Sequence, residues 1–484
     1  MNNTLFILRF SNSIKYFLTL GTTLLFFLIL HYDINNLMSL SKISMILWLF
    51  LFFSWIFIEK EIINFYSIFL VFIFMFYFGD FFLYIIDYDF TSNRNITSGL
   101  VAESIIKISV LFLMKFLLIM HLFVIITSYF LSKNKSIKSD NKHQISTNML
   151  NSLKISSVVI FMITCIPSFS ILFSNIYTTF TQGYGQIFLA EEYSLGGFSN
   201  IKRFISSFFI PNLFLMLILF KDTKYIKLIS SIIIFYLGIY FLSGSRINAI
   251  LIIAAFIMIK NYWYKKVEKK EYIYLMVLLI TMSILLPLIS ELRNDLFKTS
   301  IDTDLFINMM NNLVNKNPIL TNLEESGYTF LVIATVINNV GINVEYIYGL
   351  SYVNNLFMIL PNVFWDVHPA TSSNTDLAFQ DFLTIYGGIG SSFIAEAYYN
   401  FGKYSISTAA IFGCIIAFVT HKIKVSAKNK NLIQFYIYIY ASSLILIYVR
   451  SDTVSFLRNI TLYAVAPLLL GWLISKISKN KRES

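Results

Sequence analysis

The chain has 484 residues, a length that would suit roughly two or three soluble domains, but 57% of them are hydrophobic, 17% aromatic and only 13% charged. That balance lies far outside the range of a water-soluble protein, so the solvent it demands is lipid. The net charge of +11 does not point to nucleic acid, because the basic residues are dispersed through short segments between apolar runs and form no single patch.

Apolar runs of about 15 to 25 residues, enough for a helix to cross a hydrocarbon core about 30 Å thick, recur from end to end. They predict spans at Ser13 to Leu30, Ile43 to Ile58, Ile62 to Ile86, Ile105 to Leu131, Ile155 to Phe173 and Phe204 to Phe220. Six more follow at Leu228 to Leu242, Ile247 to Ile259, Tyr272 to Ile289, Ser405 to Thr420, Leu432 to Val449 and Ile460 to Ile474. The expected fold is therefore all-α, a polytopic membrane protein of about twelve transmembrane helices. Basic Arg9 and Lys15 precede the first run, but no small-residue cleavage site follows, so the segment reads as a retained helix.

Charge sorting sets the orientation. With the amino terminus in the cytoplasm, the inner segments hold 24 of the 37 Lys and Arg against 7 acidic residues, and the outer segments 11 against 19. The reverse topology would expose the lysine-rich stretches Lys133 to Lys154, Lys260 to Lys270 and Lys422 to Lys430 on the far side. The positive-inside rule thus places both termini in the cytoplasm. Cys165 and Cys414 fall inside spans and outside any metal-ligand spacing, so neither a disulfide nor a metal site is expected.

Three regions follow: residues 1–289 with nine helices and short loops, 290–404, and 405–484 with three helices and a cytoplasmic tail. The middle region, about 115 residues, is expected to lie outside the membrane on the opposite face. Ordering so long a loop costs entropy that a function must offset. Tyr328 to Val340, Tyr346 to Leu360 and Phe379 to Tyr399 carry partly helical apolar spacing, which predicts short helices on the outer face or a re-entrant or thirteenth segment. A second outer loop, Ser174 to Arg203, carries the turn strings TQGYG (Thr181 to Gly185) and LGG (Leu195 to Gly197). No repeat relates the two halves, unlike many secondary transporters.

Several outer arginines sit at helix ends or beside turns: Arg203, Arg246, Arg293, Arg450 and Arg458. Arg246 lies in the four-residue turn SGSR (Ser243 to Arg246), which fixes its depth at the interface. A guanidinium there stays charged and can grip phosphate oxygens in pairs, although capping and snorkelling to lipid headgroups explain it equally. Arg450 and Arg458 flank RSDTVSFLR, with interfacial anchoring as the alternative. Arg293, in SELRND, has Glu291 and Asp295 as structural partners. Together, several such groups at one depth would suit a lipid pyrophosphate and stabilise it as a leaving group.

The most specific string is YGGIGSSFIAEAYYNFG, Tyr386 to Gly402. It combines a glycine-rich turn, an acid in an apolar setting, Glu396, and the pair Tyr398 and Tyr399. With YGLSYVNNLFMILPNVFW (Tyr348 to Trp365), SGSR and YVRSD (Tyr448 to Asp452), it resembles the Wzy-type O-antigen polymerases, the oligosaccharide repeat-unit polymerases of bacterial inner membranes. The motifs cover roughly Leu228 to Ile474. His368, in WDVHP, departs from the pattern, which expects Lys or Arg there.

The resemblance implies a GT-C-like membrane glycosyltransferase with a large periplasmic loop. It would move a growing glycan from undecaprenyl pyrophosphate to the terminal sugar of a newly flipped repeat unit, without nucleotide sugar, metal or other cofactor. It also implies a chain-length regulator as partner. Such chemistry needs a cationic grip, for which Arg246, Arg293 and Arg450 are candidates with Arg203 and Arg458 near the substrate. It also needs a base or acceptor, Glu396, from which apolar Ile394, Ala395 and Ala397 would exclude water. Tyr398, Tyr399 and His368 are candidates to contact sugar. Two rivals stay in view. An O-antigen ligase would use His368 as base, and a lipid-linked oligosaccharide flippase would need intramembrane charge such as Lys107 and Lys115.

Overall fold

The computed structural model describes residues 2–30, 36–90, 95–133, 145–182, 197–243, 246–268, 270–271, 273, 281, 317–360, 373–383 and 390–483. Among them the structure is helical, with one isolated bridge, Val340 to Val344, as its sole β feature. In chain order the first helices are α1 (Asn2–Ile29), α2 (Leu37–Glu59), α3 (Phe65–Ile85), α4 (Glu103–Lys133), α5 (Thr147–Gln182), α6 (Gly197–Ser206), α7 (Phe209–Leu219), α8 (Ile226–Leu242) and α9 (Arg246–Ile259). Short helices α10 (Pro318–Gly327), α11 (Thr329–Asn339), α12 (Leu350–Phe357) and α13 (Thr375–Phe379) come next. The chain closes with α14 (Phe393–Phe401), α15 (Ile406–Lys428), α16 (Leu432–Ile447), α17 (Phe456–Arg458) and α18 (Ala466–Glu483).

Seven stretches are long and apolar enough to cross a membrane: Leu37–Glu59, Phe65–Ile85, Glu103–Lys133, Thr147–Thr179, Asn200–Leu219, Phe393–Lys428 and Phe456–Lys479. Four shorter apolar helices, Ser13–Ile29, Ile226–Leu242, Ala249–Tyr264 and Leu432–Ile447, fall on four more of the expected spans. The remaining one, Tyr272 to Ile289, lies almost wholly outside the described residues.

Local chemistry explains where the helices begin. Asn36 accepts a hydrogen bond from the Met38 N–H (2.9 Å), Asn64 from Ser67 (3.0 Å) and Asn431 from Gln434 (3.1 Å), each satisfying a donor that the first helical turn leaves open. One polar side chain inside the bundle is paired on both sides. The fully buried His121 ring of α4 meets Ser54 Oγ of α2 at 3.0 Å and the Tyr66 hydroxyl of α3 at 2.9 Å, so both nitrogens have partners.

Two elements of the middle region lie inside the bundle. Helix α11 is buried along almost its entire length, with Phe330 edge-on to Phe81 of α3 at 4.7 Å. Its 11 residues rise only about 16 Å, half of a crossing. Helix α14 enters the bundle as well. The Phe393 ring lies 4.9 Å from that of Phe412, although a straight helix would separate these residues by about 28 Å. The apolar stretch Phe393–Lys428 is therefore folded, turning back at Gly402. That residue has φ 55°, and a Cβ on it would come within 2.7 Å of the Tyr346 ring, so both backbone and space require glycine.

Candidate active site

Glu396 sits in the first turn of α14, whose N-cap Ser392 accepts from the Ala395 N–H at 3.0 Å. Its side chain is completely buried. Oε1 accepts from the Ser351 hydroxyl of α12 at 2.7 Å and from the Thr453 hydroxyl at 3.1 Å, while Oε2 accepts from the Thr453 N–H at 2.7 Å. One carboxylate thus ties together α12, α14 and the loop after α16. Charge-assisted bonds of this kind are shorter and stronger than neutral ones.

Asn400, one turn further along α14, extends the junction. Its amide donates to Ser351 Oγ and to the Glu396 carbonyl, both at 2.8 Å, and its oxygen accepts from the Gly349 N–H at 2.8 Å. Asn355 donates to the Thr453 carbonyl. The strings YGLSY, AEAYYNFG and RSDT, far apart in the chain, therefore meet through Ser351, Glu396, Asn400 and Thr453. Sequence reasoning singled out Glu396 alone. The other three were present in the same motifs, but a Ser, Asn or Thr in an apolar tract carries no mark of its partner.

Arg450 belongs to this junction. Its carbonyl accepts from the Ser391 N–H at 3.4 Å, the neighbouring Tyr448 carbonyl from the Phe393 N–H at 3.0 Å, and the Val449 carbonyl from the Tyr77 hydroxyl at 2.6 Å. The guanidinium carbon stands 5.7 Å from the centre of the Phe76 ring, within cation–π range. Phe76 and Tyr77 lie in the π-helical stretch Phe74–Phe78 of α3. Such widened turns re-aim side chains and recur at functional sites. Asp452, nearly buried, acts electrostatically on Glu396.

The same neighbourhood carries unspent polar capacity. Tyr352 Oη, Asn355 Oδ1 and Ser391 Oγ are buried without a hydrogen-bond partner among the described residues. Each such atom costs about 1–3 kcal/mol unless something satisfies it. Burial first, then the Glu396 carboxylate, push the Tyr352 phenol well above its ordinary pKa, so it stays protonated.

The other expected site residues are placed as follows. Tyr398 is half-buried, edge-on to Phe112 of α4 at 5.1 Å, and Tyr399 is buried, edge-on to Phe379 of α13 at 5.1 Å. Arg458 ends α17, half-buried, and leads into another π-helical stretch, Asn459–Val465. Arg203 is half-buried on α6, whose Phe204 packs on Tyr463 of that stretch at 6.1 Å. Arg246 begins α9, but its side chain lies outside what the structure describes, as do Arg293 and His368 altogether. Lys107 pairs with Glu103 at 2.8 Å, and Lys115 is half-buried on α4.

No curated protein and no solved structure matches the chain. The family description of the O-antigen polysaccharide polymerase Wzy matches residues 14–482, nearly the whole chain. A multi-pass helical bundle in which the strings resembling that family converge on one buried junction agrees with this match, and the chain belongs to the Wzy O-antigen polymerase family, glycosyltransferase-type enzymes that polymerise lipid-linked oligosaccharide repeat units.

Proposed function

We propose that the reaction runs at the periplasmic face of the inner membrane, on undecaprenyl pyrophosphate carriers, in a twelve-span chain with both termini cytoplasmic. A hydroxyl oxygen of the incoming repeat unit attacks the anomeric carbon of the growing chain. The bond from that carbon to the pyrophosphate oxygen breaks, the carrier pyrophosphate departs with the electron pair, and the hydroxyl proton passes to a base. Charge develops on the departing pyrophosphate, so fixed guanidinium groups lower the barrier most.

Arg450 is the first of these groups in our reading, with Arg246 and Arg293 completing the grip and Arg203 and Arg458 nearby. Glu396 serves as the acceptor that holds the Arg450 loop against α14. Tyr352, Asn355 and Ser391 present hydrogen-bonding atoms to the sugars, and Tyr398 adds aromatic surface. The 290–404 region forms the outer cover of the site, with α11 and α14 as half-length helices entering from it. A chain-length regulator is the expected partner in the membrane.

Charge supports the orientation. Lys424 pairs with Glu59 and Lys266 with Glu61, joining three segments that the count of basic residues assigns to one face. The observation that carries the site is the Glu396–Thr453 clamp beside Arg450. Replacing Glu396 or Arg450 with Ala should leave membrane insertion intact and reduce long O-antigen chains to single capped repeats on a lipopolysaccharide gel. Normal chain lengths in both variants would remove the proposed roles.

A further inference from the structure

At the far end of the bundle from Glu396 lies a cavity of about 430 Å³ that polymerisation does not use. Lys424 lies about 27 Å along α15 from its first residue, Ile406, which follows the Gly402 turn. The walls come from α1 (Lys15, Tyr16), the end of α2 (Glu59, Lys60), the end of α4 (Ser128, Ser132) and the last turns of α15 (Lys424, Lys428). Four lysines thus face one carboxylate among the described residues.

That carboxylate is already engaged. Glu59 pairs with Lys424, and Glu61, just outside, pairs with Lys266 and stands 3.9 Å from Lys424. Lys15, Lys60 and Lys428 have no carboxylate partner among the described residues. Lys15 lies instead 5.3 Å from the Phe57 ring centre and close enough to Lys60 for the two like charges to act on each other. Lys60 is held in the left-handed region, φ 57°, at the C-terminus of α2, where glycine is the usual residue. Ammonium groups that repel one another across a walled cavity are stabilised by an anion placed between them, and the Ser128 hydroxyl at its rim supplies a further donor.

We propose that this cavity binds a phosphate-bearing anion, held by Lys15, Lys60 and Lys428 with Ser128 as a hydroxyl donor. The shared chemistry is a phosphate ester, either the headgroup of an anionic phospholipid reaching in between α1 and α4, or a soluble phosphate. Its position where α2, α4 and α15 end against the middle of α1 makes it a brace for the bundle, separate from the reaction centre.

The test uses the full chain in detergent micelles, with thermal unfolding and native mass spectrometry. Phosphatidylglycerol, phosphatidylcholine and inorganic phosphate are the three probes. The intact chain should retain phosphatidylglycerol over phosphatidylcholine, or be stabilised by inorganic phosphate; the first result assigns a lipid headgroup and the second a soluble phosphate. In Lys15→Gln/Lys60→Gln that binding should weaken at least about tenfold. The exposed pair Lys224→Gln/Lys227→Gln controls for bulk charge and should bind as the intact chain does. Lys428→Gln provides a second, single-site reading should the double variant unfold. Equal binding by the intact chain and the cavity variants, or equal loss in the control pair, would overturn the proposal.

Discussion

The Oε2 atom of Glu396 accepts the backbone N–H of Thr453 at 2.7 Å, which fixes a half-length helix to the loop that carries Arg450. A base and a clamp make opposite demands on this carboxylate. Replacing it with Gln turns an acceptor into an amide that meets Thr453 with an N–H or with a single oxygen already claimed by Ser351. The clamp reading expects Glu396→Gln to lower stability by about 1–3 kcal/mol, and Ala by at least as much, alongside shortened O-antigen. Loss of polymer with unchanged thermal unfolding of the purified Gln variant would favour a base instead.

Arg450→Lys keeps the charge and discards the plane. A lysine has no guanidinium plane to set against Phe76 and cannot present paired donors to a pyrophosphate. The lipopolysaccharide ladder of this variant should collapse toward one or two repeats at unchanged protein level. A ladder of normal length would show that charge alone suffices.

Tyr352→Phe separates recognition from folding. The hydroxyl it removes is buried and without a partner among the described residues, so its deletion should leave stability unchanged or raise it by up to about 1 kcal/mol. Shorter chains on the gel with undiminished stability are the expected outcome. A marked loss of stability would mean that the hydroxyl is a structural group.

Gly413→Ala tests the packing of α15 on α4. A Cβ there would come within 2.3 Å of the Met120 carbonyl oxygen and 3.0 Å of the Phe123 side chain. Since the nearest atom belongs to the backbone, the helices must move apart, at a cost of about 1–3 kcal/mol. Reduced membrane yield and a lower unfolding temperature should follow, and neither change would occur if the two helices pack loosely.

Lys60→Gly relieves a left-handed lysine. It should raise stability by about 1 kcal/mol in a micelle without phosphate ligands and weaken binding of whichever of phosphatidylglycerol and inorganic phosphate the intact chain takes. A drop in ligand-free stability would assign the lysine a structural role.

The helical class and the positions of the apolar helices were legible in the sequence because hydropathy is a property of single segments. The spans at Ile43 to Ile58 and Ile105 to Leu131, for example, stand within helices one or two turns longer, since polar ends such as Glu103 to Lys107 continue the helix into the interface. The burial of α11 and the reversal at Gly402 were not legible as such. Both depend on neighbours distant in the chain, and an 11-residue apolar helix reads alike whether it lies on a surface or inside a bundle. Glu396 stood out because an acid between Ala395 and Ala397 needs a partner. Ser351, Asn400 and Thr453 did not, and neither did Phe76, one phenylalanine among 49. The widened turn that aims it at Arg450 leaves no trace in composition.

Deletion of the encoding gene, followed by electrophoresis of the lipopolysaccharide, tests the central claim most directly. The account predicts loss of the ladder with a single repeat unit still capping the core, restored to full length by the intact chain. A ladder that persists, or a core that carries no repeat at all, would contradict polymerisation as the activity.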